Sequence, residues 1–280
     1  MSKRDLRWNE AKYKRWIKEK RGQGSGADYI PFLKIQDLPS LGRVSRGPGW
    51  KTNRLHHLFS DLETHFLYCL EWSDHVIDIR EQFPMDIELT MRIAGKLGID
   101  YPCDKTSGAP YVLTTDFLVT YLENRRESMV AYQVKPASKL EDPAVLQRLE
   151  VERRHWKEKE IPWFLVTDRD IPKVIAQNVE WIHEHYWLTA TEEMSINDLL
   201  EMGERLKEKL SKSHDSINVV TNDLDREFNV TNGTSNKVFS YLLARKEISM
   251  DMNTKIHLGL PASAITHIYF RERRTITWGA

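Results

Sequence analysis

The sequence predicts an α/β protein in which residues 1–189 form a mixed central sheet flanked by helices and residues 190–280 form a smaller module. Three observations carry this prediction. Helical and strand patterns alternate through residues 1–189. Residues 114–136 contain two apolar strands of the kind that is covered on both faces. Residues 190–280 show three short helical patterns followed by two strand-like pieces.

The charge balance excludes a strongly basic protein. Lysine plus arginine equals aspartate plus glutamate, 41 of each, so any nucleic-acid surface has to be local. No apolar run approaches membrane-spanning length, and the charged start lacks the apolar core of a signal peptide. We therefore expect a cytoplasmic protein with no membrane partner. Because Cys69 and Cys103 are the only cysteines, a cysteine-based zinc cluster is excluded.

The first elements are a helix and a basic segment. Residues 5–20 show amphipathic spacing and end at a glycine-rich breaker, and residues 29–35 are extended. Residues 41–57 hold four basic side chains and no acidic one. These four, Arg43, Arg46, Lys51 and Arg54, are the best local candidates for phosphate contacts, although a solvated surface is the alternative.

The middle elements place Glu63 on a helix. Residues 60–70 show a helical stripe with Glu63 on its flank, residues 75–84 predict a strand, and residues 86–97 predict a helix that ends at Gly98. Ser60 and Glu63 also fit a capping box, in which the glutamate only reaches back to the start of the helix. This segment alone favours the cap.

The remaining elements complete two domains. Residues 140–159 predict a helix, residues 162–166 a buried strand and residues 174–185 another helix. A polar stretch before Ser195 predicts a domain boundary at 189/190. Beyond it, helices at 196–210, 223–228 and 235–245 and strands near Ile248 and at 265–270 suggest a winged-helix-like module. Binding of DNA and binding of protein are equally plausible roles for that module.

The hairpin at residues 114–136 brings three polar side chains together. Side chains alternate along a strand, so Gln133 and Lys135 share one face, and normal pairing brings Asp116 beside them. An ordinary ion pair on a solvated face is the alternative, and the hairpin alone does not decide between the two. The apolar character of both strands makes an uncompensated charge costly. Glu63, as a second carboxylate, favours a functional cluster.

The order Glu63, Asp116, Gln133-x-Lys135 in an α/β setting resembles the restriction-endonuclease-like nuclease core. The resemblance implies that Glu63, Asp116 and Gln133 hold Mg²⁺, with Mn²⁺ as a possible substitute, and that Lys135 is the catalytic lysine. In this sequence Gln133 stands where many relatives carry an acid. It offers an oxygen but no charge, which puts a second metal ion in doubt.

The resemblance extends to most of residues 10–185. The segments that carry it are RGQGSGADYIP, LHHLFSDLE, DIREQFP, TTDFLV, QVKPAS, RLEVERR and IPWF. In order and spacing they are similar to the TnsA family, the endonuclease subunits of heteromeric bacterial transposases. That resemblance implies hydrolysis of the non-transferred (5′) strand at transposon ends. It also implies a TnsB-like transposase and a TnsC-like ATPase regulator as partners. A stand-alone restriction or repair nuclease and a non-catalytic assembly module are the alternatives.

Overall fold

The chain divides into two compact units. The structure is a computed structural model, and it describes residues 8–37 and 44–270. The units are Met1–Ile171 and Pro172–Ala280. The boundary therefore lies earlier than the predicted 189/190. The reason is the helix Lys173–His183, which belongs to the second unit because Trp181 packs against Phe239, with ring centroids 6.5 Å apart.

Within the described residues, the first unit contains ten α-helices and β-strands. In chain order they are α1 (Glu10–Lys18), β1 (Ser45–Pro48), β2 (Leu55–Leu58), α2 (Asp61–Trp72), β3 (Val76–Pro84), α3 (Ile87–Leu97), β4 (Thr114–Glu123), β5 (Arg126–Val134), α4 (Pro143–Glu158) and β6 (Trp163–Val166). The strands β1 and β2 form a small antiparallel hairpin of their own. Short 3-10 turns connect several of these elements.

The central sheet has the order β3-β4-β5-β6. The pairs β3-β4 and β4-β5 are antiparallel and β5-β6 is parallel, so the predicted mixed sheet is confirmed. A two-residue turn joins β4 to β5, and both of its residues, Asn124 and Arg125, have positive φ. This is the backbone geometry that matches the right-handed twist of a tight hairpin.

Helices cover both faces of the sheet. On one face Phe66 of α2 contacts Phe117 and Tyr132, with ring centroids 5.6 and 5.2 Å apart. On the other face Trp156 of α4 forms a buried cluster with Leu118 and its neighbours. Adjacent residues of a strand point to opposite faces, so β4 is buried on both sides. This double burial explains the apolar composition of the hairpin.

The second unit is mainly helical. Its elements are α5 (Lys173–His183), α6 (Ile196–Lys212), α7 (Ile217–Phe228), α8 (Thr234–Ala244), β7 (Ile248–Met250) and β8 (Ile265–Ile268). Helix α6 begins at the predicted Ser195, where a capping box with Asp198 forms. Strands β7 and β8 pair antiparallel, so the predicted small hairpin is present. The winged-helix-like assignment of this unit stays a prediction.

Helix α7 is longer than the sequence pattern predicts. It begins after Ser216, which accepts a hydrogen bond from the Val219 N–H, rather than at residue 223. The β-branched residues 219–221 lower helix propensity and obscure this start. Burial of Ile217, Val220 and Leu224 along one stripe compensates for that weak propensity. Among the helices in the described part of the chain, none is long and apolar enough to cross a lipid bilayer.

Candidate active site

The Asp116 carboxylate is the centre of a buried polar cluster on β4. Its Oδ2 accepts a hydrogen bond from the Val134 N–H at 2.8 Å and another from the Lys135 ammonium at 3.2 Å. The Asp116 N–H in turn donates to Gln133 Oε1 at 3.2 Å. The structure therefore brings Asp116, Gln133 and Lys135 together, as the sequence predicts.

Lys135 connects this buried cluster to solvent. Its side chain is 32% exposed, and its ammonium also donates to the Val134 carbonyl at 3.0 Å. Burial by itself lowers the pKa of Lys135, but the nearby Asp116 and Glu63 carboxylates outweigh it, so the pKa is raised. Lys135 is therefore a permanent cation that a bound substrate can reach.

Glu63 both caps α2 and interacts with Asp116. The Ser60 hydroxyl donates to its Oε1 at 2.9 Å and the Phe59 N–H donates to its Oε2 at 3.0 Å. Burial, followed by the charge of Asp116, raises the pKa of Glu63 to about 7. The cap and the carboxylate cluster are therefore two roles of one side chain, and the capping contacts hold the carboxylate close enough to interact with Asp116.

Gln82 supports Glu63 from β3. Its amide nitrogen lies 3.4 Å from Glu63 Oε2, and its Oε1 accepts a hydrogen bond from the Thr114 hydroxyl at 3.1 Å. Gln82 is buried and has a φ of 49°, which is uncommon for a residue other than glycine. The side chain of Gln82 therefore links α2 to the start of β4.

Glu152 of α4 is a further carboxyl group at the site, and the sequence analysis did not identify it. It is 4% exposed and accepts hydrogen bonds from the Thr115 hydroxyl at 2.5 Å and the Trp163 indole at 3.0 Å. Burial, with a contribution from Asp116, raises its pKa to about 8. The signal was available, because Glu152 lies on the same helical stripe as the buried Leu149 and Trp156.

A cavity of about 280 Å³ adjoins these groups. Gln133, Lys135 and Glu152 lie along it, and Arg148 of α4 lies on the same wall as Glu152. Its other lining residues are Met85, Val112, Leu113, Thr114, Val145 and Leu149. The cavity therefore combines an apolar wall with a small number of polar groups, which is the usual composition of a binding site.

The side chains present fit a hydrated Mg²⁺ ion. Within the described ranges, no three His, Cys, Asp or Glu side chains form a complete ligand cluster. Mg²⁺, however, commonly takes one or two carboxylates and keeps its remaining ligands as water or phosphate oxygens. Burial and then the charge of Asp116 raise the pKa of Glu63, and a cation near both carboxylates would offset their repulsion.

Gln133 is a less direct ligand candidate. Its Oε1 already accepts the Asp116 N–H, so its amide oxygen is engaged within the hairpin. A carboxamide oxygen has two lone pairs, so one oxygen can accept this bond and still face a cation.

The structure does not place all four predicted basic side chains on an accessible surface. Arg43 lies outside the described residues. Arg46 is exposed, with its Nη2 3.5 Å from Gln36 Oε1. Lys51 is half-buried, and its N–H donates to Glu71 Oε2 at 3.0 Å. Two of the four side chains are therefore at least partly accessible to DNA.

Arg54 is a buried structural arginine, which corrects the prediction that it contacts DNA. Its side chain is 8% exposed, and its guanidinium donates to both carboxylate oxygens of Glu81 at 2.8 and 2.6 Å. His56 is also fully buried, and its Nδ1 lies 2.8 Å from Glu81 Oε2. Burial alone would raise the pKa of Glu81, but His56 and Arg54 lower it well below its usual range. A fully buried carboxylate requires these partners, so Arg54 is not available to a phosphate.

Comparison with known proteins gives two family matches and one relative. The family model described as TnsA-like endonuclease N terminal matches residues 73–168, and the model described as TnsA endonuclease C terminal matches residues 170–252. The chain is similar to the Transposon Tn7 transposition protein TnsA of Escherichia coli. They are 45% identical over 202 residues, which are 72% of this chain and 71% of that relative. The two matched segments meet close to the boundary between the compact units.

Replacing Asp116 with Asn tests the coupling between the two carboxylates. The amide keeps an oxygen for the Val134 N–H but removes the charge, so we expect the pKa of Glu63 to fall from about 7 while staying above the ordinary glutamate value. A raised pKa means that the folded metal-free protein loses stability as pH rises from the ordinary glutamate range through about 7. Asp116→Asn should reduce that loss.

Carboxyl carbon NMR of ¹³C-labelled glutamate, with melting temperatures in a chelator across the same pH range, measures both effects. The exposed change Asp100→Asn is the control. An unchanged pKa of Glu63 in Asp116→Asn would show that burial alone sets it.

Replacing Arg54 with Gln tests its structural role. We expect a loss of about 3–5 kcal/mol in the free energy of unfolding, because the Glu81 carboxylate stays buried with one partner removed. The matched surface change Arg46→Gln should stay within about 0.5 kcal/mol. Chemical denaturation measures both variants. Equal free energies of unfolding for Arg54→Gln and Arg46→Gln would show that Arg54 has no structural role and is available to bind phosphate.

Proposed function

Because the chain belongs to the TnsA endonuclease family, we propose that it is the metal-dependent DNA endonuclease subunit of a Tn7-type transposase. In this proposal it hydrolyses the non-transferred (5′) strand at transposon ends during cut-and-paste transposition, in the cytoplasm. Its partners are a TnsB-like transposase that cuts the other strand and a TnsC-like ATPase regulator. The family membership supports the nuclease class, and the site described above supports the chemistry.

One observation carries the chemical part of the proposal. The Asp116 carboxylate lies 3.2 Å from the Lys135 ammonium, and its charge adds to the effect of burial in raising the pKa of Glu63 to about 7. A buried pair of carboxylates beside a lysine at a cavity is the donor set of a restriction-endonuclease-like core. A purely structural ion pair would not need the second carboxylate, because Lys135 already neutralises the first.

We assign a role to each side chain. Glu63 and Asp116 would hold Mg²⁺ or Mn²⁺, with Gln133 contributing its amide or main-chain oxygen. When bound, the metal polarises the scissile phosphate and lowers the pKa of water. Lys135 orients the attacking water and stabilises the charge that develops on the phosphate, because a cation is most effective where little water competes.

The apolar surroundings support these roles. Leu118 and Trp156 are buried on the α4 side of the sheet, next to the helix that carries Glu152. Such walls keep bulk water away and keep the dielectric low, so the interaction of Lys135 with a phosphate is stronger than at an open surface. The 32% exposure of Lys135 leaves a path for the substrate.

For the second unit we propose a winged-helix-like module that contacts the transposase partners. Three helices, α6 to α8, followed by the β7-β8 hairpin supply the elements of such a module. The TnsC-like regulator is the partner that the family resemblance assigns to this region. Deletion of the second unit with retained folding of the first would separate this role from strand cleavage.

Replacing Gln133 with Glu tests the metal-ligand assignment. Glutamate keeps the acceptor for the Asp116 N–H and adds a charge, so Mn²⁺ binding should hold or tighten, by up to about tenfold. Calorimetric titration of Mn²⁺ measures it, and Gln147→Glu on the exposed side of α4 is the control. Strongly weakened binding in Gln133→Glu would show that only the main chain at this position can be a ligand.

Replacing Lys135 with Ala tests the division of labour between subunits. Cleavage of the non-transferred strand should slow by about 100-fold or more, because one charge-stabilising donor is lost. The partner transposase carries its own site, so joining of the other strand should continue. The product is then a branched fusion of donor and target, which replication converts into a cointegrate.

Gel analysis and junction sequencing of Lys135→Ala assembled with its partners decide the outcome. Simple insertions at the unmodified rate would mean that another nuclease frees the second strand. Complete loss of joining would mean that Lys135 supports assembly instead. Site-specific cutting by the purified chain without partners would favour a stand-alone nuclease.

A further inference from the structure

We propose that Arg148 of α4 binds a backbone phosphate of the substrate strand next to the scissile phosphate, as a substrate-positioning residue of the nuclease. This inference rests on the proposed function, because it names a contact of the same site.

The position of Arg148 is the first argument. Arg148 borders the cavity that Gln133, Lys135 and Glu152 also line. It precedes Glu152 by four residues, so both side chains lie on the same side of the helix, about 6 Å apart along its axis. Arg148 is exposed whereas Glu152 is buried, so Arg148 marks the outer end of the cavity wall. A phosphate at Lys135 would thus have its neighbour in the strand near Arg148.

The available hydrogen-bonding capacity of Arg148 is the second argument. Its Nε donates to the Ala144 carbonyl at 3.1 Å, and among the residues that the structure describes no carboxylate forms an ion pair with it. Arg153 and Arg154 of the same helix both pair with Glu150, at 2.8 and 2.7 Å. The guanidinium group is a planar fork that matches the geometry of a phosphate. Within the described residues, the terminal nitrogens of Arg148 pair with no carboxylate.

The charge of the site is the third argument. Glu63 and Asp116 place two carboxylates beside Lys135, and carboxylate and phosphate charges repel strongly where little water screens them. Lys135 is engaged with Asp116. A cation at the outer end of the cavity lowers the electrostatic cost of bringing the strand to this acidic site, and Arg148 is in that position.

The first experiment measures DNA affinity of the full chain against salt. A short fluorescein-labelled duplex is titrated by anisotropy in a calcium buffer, which suppresses cleavage. Arg148→Ala should weaken binding by about tenfold at low salt and reduce the salt slope by about one, since one phosphate contact is lost. Arg148→Lys should keep the slope, and the matched control Arg154→Ala should keep both the slope and the affinity. The melting temperatures of all variants should equal that of the parent, since both positions are exposed.

The second experiment locates the contact. In the assembled reaction, phosphates around the mapped cut are replaced one at a time by neutral methylphosphonates. The parent should lose cleavage at a phosphate next to the cut, raising KM more than it lowers kcat, and Arg148→Ala should show no further loss at that one position. Equal sensitivity of the parent and Arg148→Ala at every position would overturn the inference.

The remaining outcomes separate this inference from the proposed function. An unchanged salt slope in Arg148→Ala, an equal loss in Arg154→Ala, or a parent that does not bind the duplex at low salt overturns the inference. If Lys135→Ala loses strand cleavage at the same time, the proposed function stands without Arg148. If Lys135→Ala cuts at the parental rate while Arg148→Ala loses its salt slope, the proposed function fails and a DNA contact at Arg148 remains.

Discussion

The repulsion between the Glu63 and Asp116 carboxylates is the constraint on which the site depends. Both side chains are buried, and the pKa of Glu63 is raised to about 7 as a result of burial and of Asp116. Such a pair is unfavourable unless cations or hydrogen bonds compensate it. Lys135, the Val134 N–H and the capping groups of α2 supply part of that compensation. In the proposed function, a divalent cation would supply the rest.

The sheet makes this arrangement rigid. The Val134 N–H is a main-chain donor on β5, and the direct pairing of β4 with β5 holds it next to Asp116. Helices α2 and α4 cover opposite faces, so each brings one further carboxyl group, Glu63 or Glu152, to the same strand ends. A site built on strands and helices holds its geometry better than one built on loops.

A second buried cluster holds the neighbouring elements in place. Glu81 of β3 accepts hydrogen bonds from Arg54, His56 and the His57 N–H, which ties the β1-β2 hairpin to the central sheet. Glu71 of α2 accepts the Lys51 N–H and connects the other end of that helix to the same hairpin. The cluster therefore fixes both ends of the segment between β2 and β3, which includes Glu63. Arg54 and His56 of this cluster therefore stabilise the fold and are not available to a substrate.

The sequence by itself determined the alternating elements, the apolar hairpin and the closeness of Asp116, Gln133 and Lys135, because strand alternation and helix periodicity are local properties of the chain. Glu63 joined that set through the family resemblance, since its own segment favours a helix cap. The tertiary structure decided which residues that are far apart in the sequence come into contact, because local patterns hold no information about such contacts. Arg54 and Arg46 have similar sequence surroundings, but only Arg54 meets a buried carboxylate from a distant strand. The sequence places Glu152 on a buried helical stripe, but only the packing of α4 brings its carboxyl group beside Thr115 and Trp163. The boundary at Ile171 depends likewise on which unit α5 packs against, and long-range packing of this kind leaves no periodic signal in the sequence.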